Sequence, residues 1–179
     1  MSDETNAAAN AAANGAAGAA QGPSAQLSLH RIYLKDASFE APNVPEIFNE
    51  QAQPQLQMSL QQKVRTVGDD VHEVVLSVTV TCTVAEKTAY LAEVHQAGLF
   101  GLAGFEPRAL EAMLGTYCPN ALFPYARQAI SELVQNGGFP PLFLQPINFE
   151  ALFAEQMRRR AQQGAGEAGG QADAVAGNG

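Results

Sequence analysis

The sequence predicts an α+β fold, a four-stranded antiparallel sheet with helices packed on one face. Three observations carry this. Apolar residues alternate with period two in stretches between residues 27 and 96, they recur at helical spacing after residue 107, and the strands all precede the helices. Alternating βαβ units, the mark of a parallel sheet, are missing from this order.

LSLHRIYLKDASFE, residues 27–40, reads as the first strand, with a mixed alternation. In QLQMSLQQKV, residues 55–64, Leu56, Met58 and Leu60 face one way and Gln55, Gln57 and Ser59 the other. The next strand is the clearest. In EVVLSVTVTCTV, residues 73–84, Val74, Leu76, Val78, Val80, Cys82 and Val84 alternate with a row of mostly Ser and Thr, the pattern of a strand with one buried face. Gly68 and Asp69 in the intervening VGDDV suit a tight turn, so the two runs form a hairpin. KTAYLAEVHQ, residues 87–96, is the fourth strand, reached through a short turn near Ala85 and Glu86. GLFGLAGFEP, from Gly98 to Pro107, is then expected to be a Gly-rich apolar loop.

Pro107 suits the first turn of a short helix through about Leu114, with Leu110, Met113 and Leu114 on one side. A second helix follows through TYCPNALFPYAR, residues 116–127, to about Gln135, and Asn136, Gly137 and Gly138 stop it. FPPLFLQPIN, residues 139–148, is apolar but carries three prolines, which predicts an extended segment lying on a hydrophobic surface. Asn148 is placed to cap a last helix, FEALFAEQMRRR, with Glu150 in its first turn and Arg158, Arg159 and Arg160 closing it in keeping with the helix dipole.

Both ends differ in character. Residues 1–25 are mostly Ala, Asn and Gly, and Gly and Ala make up 12 of the 19 residues in 161–179. Neither can bury enough apolar surface to offset ordering entropy, so both are expected to be disordered tails around one domain at 26–160. That domain holds 14 of the 18 acidic residues and all 10 basic ones, a formal charge of −4. A mildly acidic domain without a basic cluster is a poor nucleic-acid binder. The N-terminus lacks the basic start and apolar core of a secretory signal, and no apolar run approaches the roughly 20 residues of a membrane span. The expectation is a cytoplasmic protein without direct membrane insertion, and two cysteines fit a reducing compartment.

Chemistry has few footholds here. Cys118 as a nucleophile needs a base, and the three histidines, His30, His72 and His95, all fall in or beside strands. A small buried packing residue is the simpler role for Cys118, and Cys82 continues the apolar face of its strand. No CxxC, HxxxH, HExxH, GxxxxGK[ST] or GxGxxG spacing occurs, so neither metal, cofactor nor catalytic residue is assigned. Asp36 and Glu40 project from one face of their strand about 13 Å apart, too far for a glycosidase pair but suited, with Glu93 on the fourth strand, to an acidic strip for a basic partner. The remaining excess is apolar: Phe123, the FPPLFL segment and the last helix together predict subunit contacts or a groove for another chain.

RIYLKDASFEAPN (31–43), EVVLSVTVT (73–81), YCPNALFPYAR (117–127) and INFEALF (147–153) closely resemble, in that order, the bacterial protein-export chaperone family SecB. The resemblance spans about residues 26–157. It implies an ATP-independent cytosolic chaperone, a homotetramer built as a dimer of dimers, that holds unfolded precursor proteins and delivers them to the SecA motor. SecA-binding positions of the family match Asp36, Glu40, Leu91 and Glu93. Contacts between dimers match Ala92, Val94 and Gln96, with Leu122, Ala126 and Ile130 of the second helix. The client groove matches Leu56, Met58, Leu60, Phe139, Leu142, Phe143, Leu144, Phe149, Leu152, Phe153 and Met157. At residue 52 many members carry Trp and this chain has Ala. Three other readings compete: a related chaperone dedicated to an antitoxin, a thiol enzyme using Cys118, and an interaction scaffold.

Overall fold

Strand formation follows the alternation. In the computed structural model, which describes residues 24–170, the order is β1 (Gln26–Glu40), a 3-10 turn (Glu46–Asn49), β2 (Gln55–Gly68), β3 (Val71–Val84), β4 (Lys87–Ala103), α1 (Pro107–Gly115), α2 (Tyr117–Asn136) and α3 (Phe149–Gly170). Of the tails expected over 1–25 and 161–179, residues 1–23 and 171–179 lie outside the described residues. β1 to β4 form one antiparallel sheet in the order β1-β4-β3-β2, which leaves β1 and β2 as the edges.

The predicted apolar row of β3 is the core. Val74, Leu76, Val78, Val80, Cys82 and Val84 are all buried beside Tyr90, Ala92, Val94, Phe100 and Leu102 of β4. The α2 residues Cys118, Leu122, Phe123, Ala126, Ile130 and Val134 complete the same cluster. Each large apolar side chain so removed from water stabilises the fold by about 1.5–3 kcal/mol. The main helix-to-sheet packing is α2 on β4 and β3, so the β2 edge keeps little helical cover.

Two boundaries differ from expectation. The stretch after Gln96 is not a loop, because β4 continues to Ala103, with Gly98 and Gly101 paired to β1 on one side and to β3 on the other. Ladder bonds from two neighbours override the weak strand propensity of glycine. Close packing also requires these glycines: a Cβ on Gly98 would sit 2.9 Å from Leu122, and one on Gly101 would collide with Ser28 and His30. The second difference is α3, which does not close at Arg160 but runs on through 161–170. Ala161, Gln162 and Gln163 are good helix formers, so local propensity favours the start of the extension, ahead of the glycines at 164, 166, 169 and 170.

Other signals act as read. Asn148 accepts a hydrogen bond from the Ala151 N–H at 2.9 Å, capping α3. α2 ends where Gly138 takes φ +84° and the Gly137 N–H donates to the Leu133 carbonyl at 3.0 Å. Pro124 lies inside α2 with its ring exposed, so the helix forgoes one backbone bond on its solvent side. Phe139 to Asn148 is neither helix nor strand, with Leu144 buried.

Candidate functional site

The inward row of β2 is apolar but uncovered. Leu56, Met58 and Val64 are exposed and Leu60 half-buried, although their register partners Cys82, Val80, Val74 and Val78 are buried. α1 and α3 stand over this edge and enclose a groove of about 730 Å³ lined by Leu60, Val64, Leu110, Leu114, Phe149, Leu152, Phe153 and Met157. The Gln62 side-chain amide donates to the Leu114 carbonyl at 2.6 Å and ties β2 to the end of α1. Arg160 on α3 meets Glu111 on α1 at 2.9 Å, closing one end of the groove with an exposed ion pair. Gly115 is needed at the other wall, since a Cβ there would strike the Phe153 ring.

The predicted groove residues therefore divide. Leu60, Phe149, Leu152, Phe153 and Met157 meet in this cavity, and Leu56 and Met58 continue its floor along β2. Leu142, Phe143 and Leu144 border a smaller cavity of about 370 Å³ against Pro124, Arg127 and Ser131 of α2. Phe139 belongs to an aromatic cluster, with ring centroids 4.8 Å from Tyr90, 5.1 Å from Phe48 and 6.3 Å from Phe39. Val64, Leu110 and Leu114 were missed as groove residues. The four-residue steps Leu60–Val64 and Leu110–Leu114 are the available signal, but only the tertiary fold sets those two rows face to face.

The residues expected at contacts between dimers lie inside the subunit. Ala92, Val94, Leu122, Ala126 and Ile130 are 0% exposed and Gln96 4%, all inside the subunit between β4 and α2. They act as the seat of α2, whose exposed residues include Asn120, Pro124, Tyr125, Gln128 and Glu132.

The opposite face of the sheet is open and polar. Register places Asp36 beside His95 and Ser77, Ser38 beside Glu93 and Thr79, and Glu40 beside Leu91 and Thr81. Asp36, Glu40, Leu91 and Glu93 thus share one face, as expected. Glu93 is held by His95 Nε2 at 2.8 Å and the Thr79 hydroxyl at 2.7 Å, and His95 Nδ1 is 3.0 Å from the Ser77 hydroxyl. The His95 bond first, then that from Thr79, lowers the Glu93 pKa.

Farther along the same face Glu73 is buried under three donors. Lys35 Nζ lies 2.8 Å and the Arg65 guanidinium 3.1 Å from its carboxylate, and the Tyr33 hydroxyl also donates to it. Tyr33 and Lys35 reach it across β4, where Ala97 is small and fully buried beneath them. The bonds from Lys35 and then Tyr33 hold the Glu73 pKa at about 2.

Cys118 is 0% exposed, and burial pushes its thiol up to about 12, the opposite of what a nucleophile requires. The histidines are engaged elsewhere, His30 with Ser28, His72 with Thr66 and His95 with Ser77 and Glu93. Among the described residues no three His, Cys, Asp or Glu side chains gather closely enough to hold a metal ion.

The pattern that a profile of preprotein translocase subunit SecB describes matches residues 20–160. The chain belongs to the SecB family. It is 54% identical over 165 residues to the protein-export protein SecB of Stenotrophomonas maltophilia, covering 92% of each chain. Against the SecB of Xanthomonas campestris identity is 58% over 141 residues, 79% of this chain and 82% of that one. The Xylella fastidiosa SecB is 54% identical over 163 residues, 90% and 91% of the two chains. Among solved structures, a SecB-like chaperone of Mycobacterium tuberculosis in complex with an antitoxin peptide shares the fold at TM-score 0.59 and 18% identity, over 68% of this chain and 90% of that one. The SecB relatives at more than half identity identify the chain as a protein-export chaperone, and no described helix is long and apolar enough to cross a membrane.

Glu73 gives this SecB-family sheet a measurable pH signature. Its folded pKa of about 2 lies below the ordinary 4.5, so the carboxylate stabilises the fold above pH 4.5 and that contribution is lost as pH falls toward 2. Chemical denaturation of Glu73→Gln should show a loss of about 2 kcal/mol at pH 7, reduced from the full linkage value because Lys35 and Arg65 are partly solvated, and the gap to wild type should shrink below pH 4.5 and close as pH reaches about 2.

Proposed function

We propose that the chain captures unfolded precursor proteins in the β2–α1–α3 groove, without ATP, and hands them to the SecA motor from the cytoplasm as a homotetramer. The groove carries this reading: an exposed apolar floor, walled by Phe149, Leu152 and Phe153, has no segment of the described chain lying in it. An unfolded client exposes apolar segments of many sequences. A smooth apolar groove binds each of them weakly and without reading a sequence, at about 25 cal/mol per Å² of area buried. Copies of the groove on one assembly then raise retention through effective concentration, so capture needs no nucleotide.

Handover calls for a second surface, and the acidic strip of Asp36, Glu40 and Glu93 with Leu91 lies on the opposite face of the sheet from the groove. A basic element of SecA docking there would not compete with the client. Electrostatic attraction of this kind sets association rate and partner choice more than affinity. The two open edges, β1 and β2, and the exposed side of α2 are the surfaces on which copies can meet, with Ala92, Val94, Gln96, Leu122, Ala126 and Ile130 fixing where α2 stands. The M. tuberculosis relative holds an antitoxin peptide, but at 18% identity against 54–58% for the export proteins, general export is the reading this chain supports.

Light scattering during dilution of a denatured precursor tests capture. Wild type should suppress aggregation near stoichiometric ratio, and Leu60→Glu/Leu152→Glu should lose most of that suppression; no suppression by wild type would end the proposal. Reversing charge at Asp36, Glu40 and Glu93 together should weaken SecA binding at least tenfold in a titration while leaving suppression intact. Unchanged SecA affinity would remove the strip from the account.

A further inference from the structure

The open sheet face changes sign along its strands. On β1 the outward residues run Arg31, Tyr33 and Lys35, then Asp36, Ser38 and Glu40, with a register irregularity between Leu34 and Asp36 at the change. β2 repeats the division, since Arg65 and Lys63 pair with Glu73 and Val75, whereas the Gln61, Ser59 and Gln57 that follow carry no charge. One half thus holds four cations, Arg31, Lys35, Lys63 and Arg65, against the single carboxylate Glu73, a formal +3. The other half holds Asp36, Glu40 and Glu93, a formal −3. In a chain of net charge −8 a cationic half-face is a local departure from the mean.

The buried carboxylate makes this half a fixed array. Glu73 bonds Lys35 from β1 and Arg65 from β2, so two of the cations are positioned by one anchor instead of waving from the surface. Arg31 and Lys63 flank that anchor, exposed, and no side-chain hydrogen bond or ion pair to either occurs among the described residues. Across the sheet, Arg31 and Arg65 stand in one register row on the two edge strands, about 14 Å apart at three strand spacings. That is the reach of an extended segment bearing several carboxylates.

We infer that the open sheet face is a two-signed docking surface, whose basic half takes an acidic stretch of the same protein partner that sets a basic stretch on the acidic half. This rests on the proposed role of the acidic strip and adds what it lacks, a fixed orientation. A basic segment alone can lie on three carboxylates in either direction. A segment carrying both signs fits one way only, because reversal puts like charges in contact. A polyanion is disfavoured, since a membrane surface or a nucleic acid broad enough to cover Arg31 and Lys63 also meets Asp36 and Glu93. A second copy stacked face to face would pair the signs, but the face offers few apolar residues beyond Leu91 and Leu99 to hold it.

Fluorescence anisotropy at low salt tests this on the full chain with three synthetic peptides: a Lys-rich block, the same block joined to a Glu-rich block, and the Glu-rich block alone. The two-signed peptide should bind at least tenfold tighter than the Lys-rich block. Arg31→Glu/Lys63→Glu should abolish that gain while the Lys-rich block binds as before or tighter. Should the charge reversal unfold the chain by circular dichroism, Arg31→Gln/Lys63→Gln should still remove most of the gain. No gain in wild type, or a gain that survives either variant, overturns the inference and leaves the acidic strip standing; failure of the Lys-rich block to bind wild type takes down both. Binding of phosphatidylglycerol vesicles or single-stranded DNA that depends on Arg31 and Lys63, or face-to-face association by native mass that the double variant abolishes, also overturns it in favour of those occupants.

Discussion

The seating of α2 on β4 is the contact from which the rest follows. Ala92 and Gly98 are small, and that smallness lets Leu122 and its neighbours on α2 come down on the sheet beside fully buried Val94. One helix covers the two central strands and stops there. The consequence is an asymmetric sheet, dry in the middle of its inner face, apolar and largely exposed along β2, and open to solvent over most of its outer face apart from the buried Glu73, Val75 and Ala97. An apolar groove and a charged surface are thus two results of a single packing decision, placed back to back.

That arrangement separates two chemistries that would interfere on one surface. Apolar capture works by area and tolerates many sequences, whereas charge recognition works by sign and geometry and is weakened by salt with a screening length of about 10 Å at 0.1 M. On the proposed function, setting the groove under α1 and α3 and the charges on the far side of the sheet would let a client remain bound while a partner docks. The Arg160–Glu111 pair across the groove mouth is exposed on both sides, and pairs of this kind contribute at most about 1 kcal/mol, so α3 is held near the floor without being locked there.

Much of this was legible in the residues. The strict alternation of β3 gave its buried row position by position, Asn148 marked the start of α3, and the four-residue step from Asp36 to Glu40 with Glu93 identified the shared acidic face. What escaped was whatever depended on neighbours. Gly98 and Gly101 look like loop residues until two flanking strands supply their ladder bonds and Leu122 and His30 claim the space a side chain would fill. Ala92, Val94 and Gln96 look available on a strand, yet α2 lies over them. The groove set divided among three places, with Phe139 drawn away by tilted ring contacts to Tyr90 and Phe48, residues more than forty positions distant, and Leu142, Phe143 and Leu144 set against α2. The basic half-face was invisible in a net charge, since Arg31 and Lys63 are brought to the same half of one face only through the sheet order.

Amide hydrogen exchange on the full chain with and without a saturating unfolded precursor tests the central claim most directly. The account predicts new protection confined to residues 56–64 of β2, 110–115 of α1 and 149–157 of α3, with the outer rows of β1 and β4 unchanged. Protection that appears instead on Asp36 to Glu40 and Leu91 to His95, and leaves β2 and α3 as they were, would contradict it.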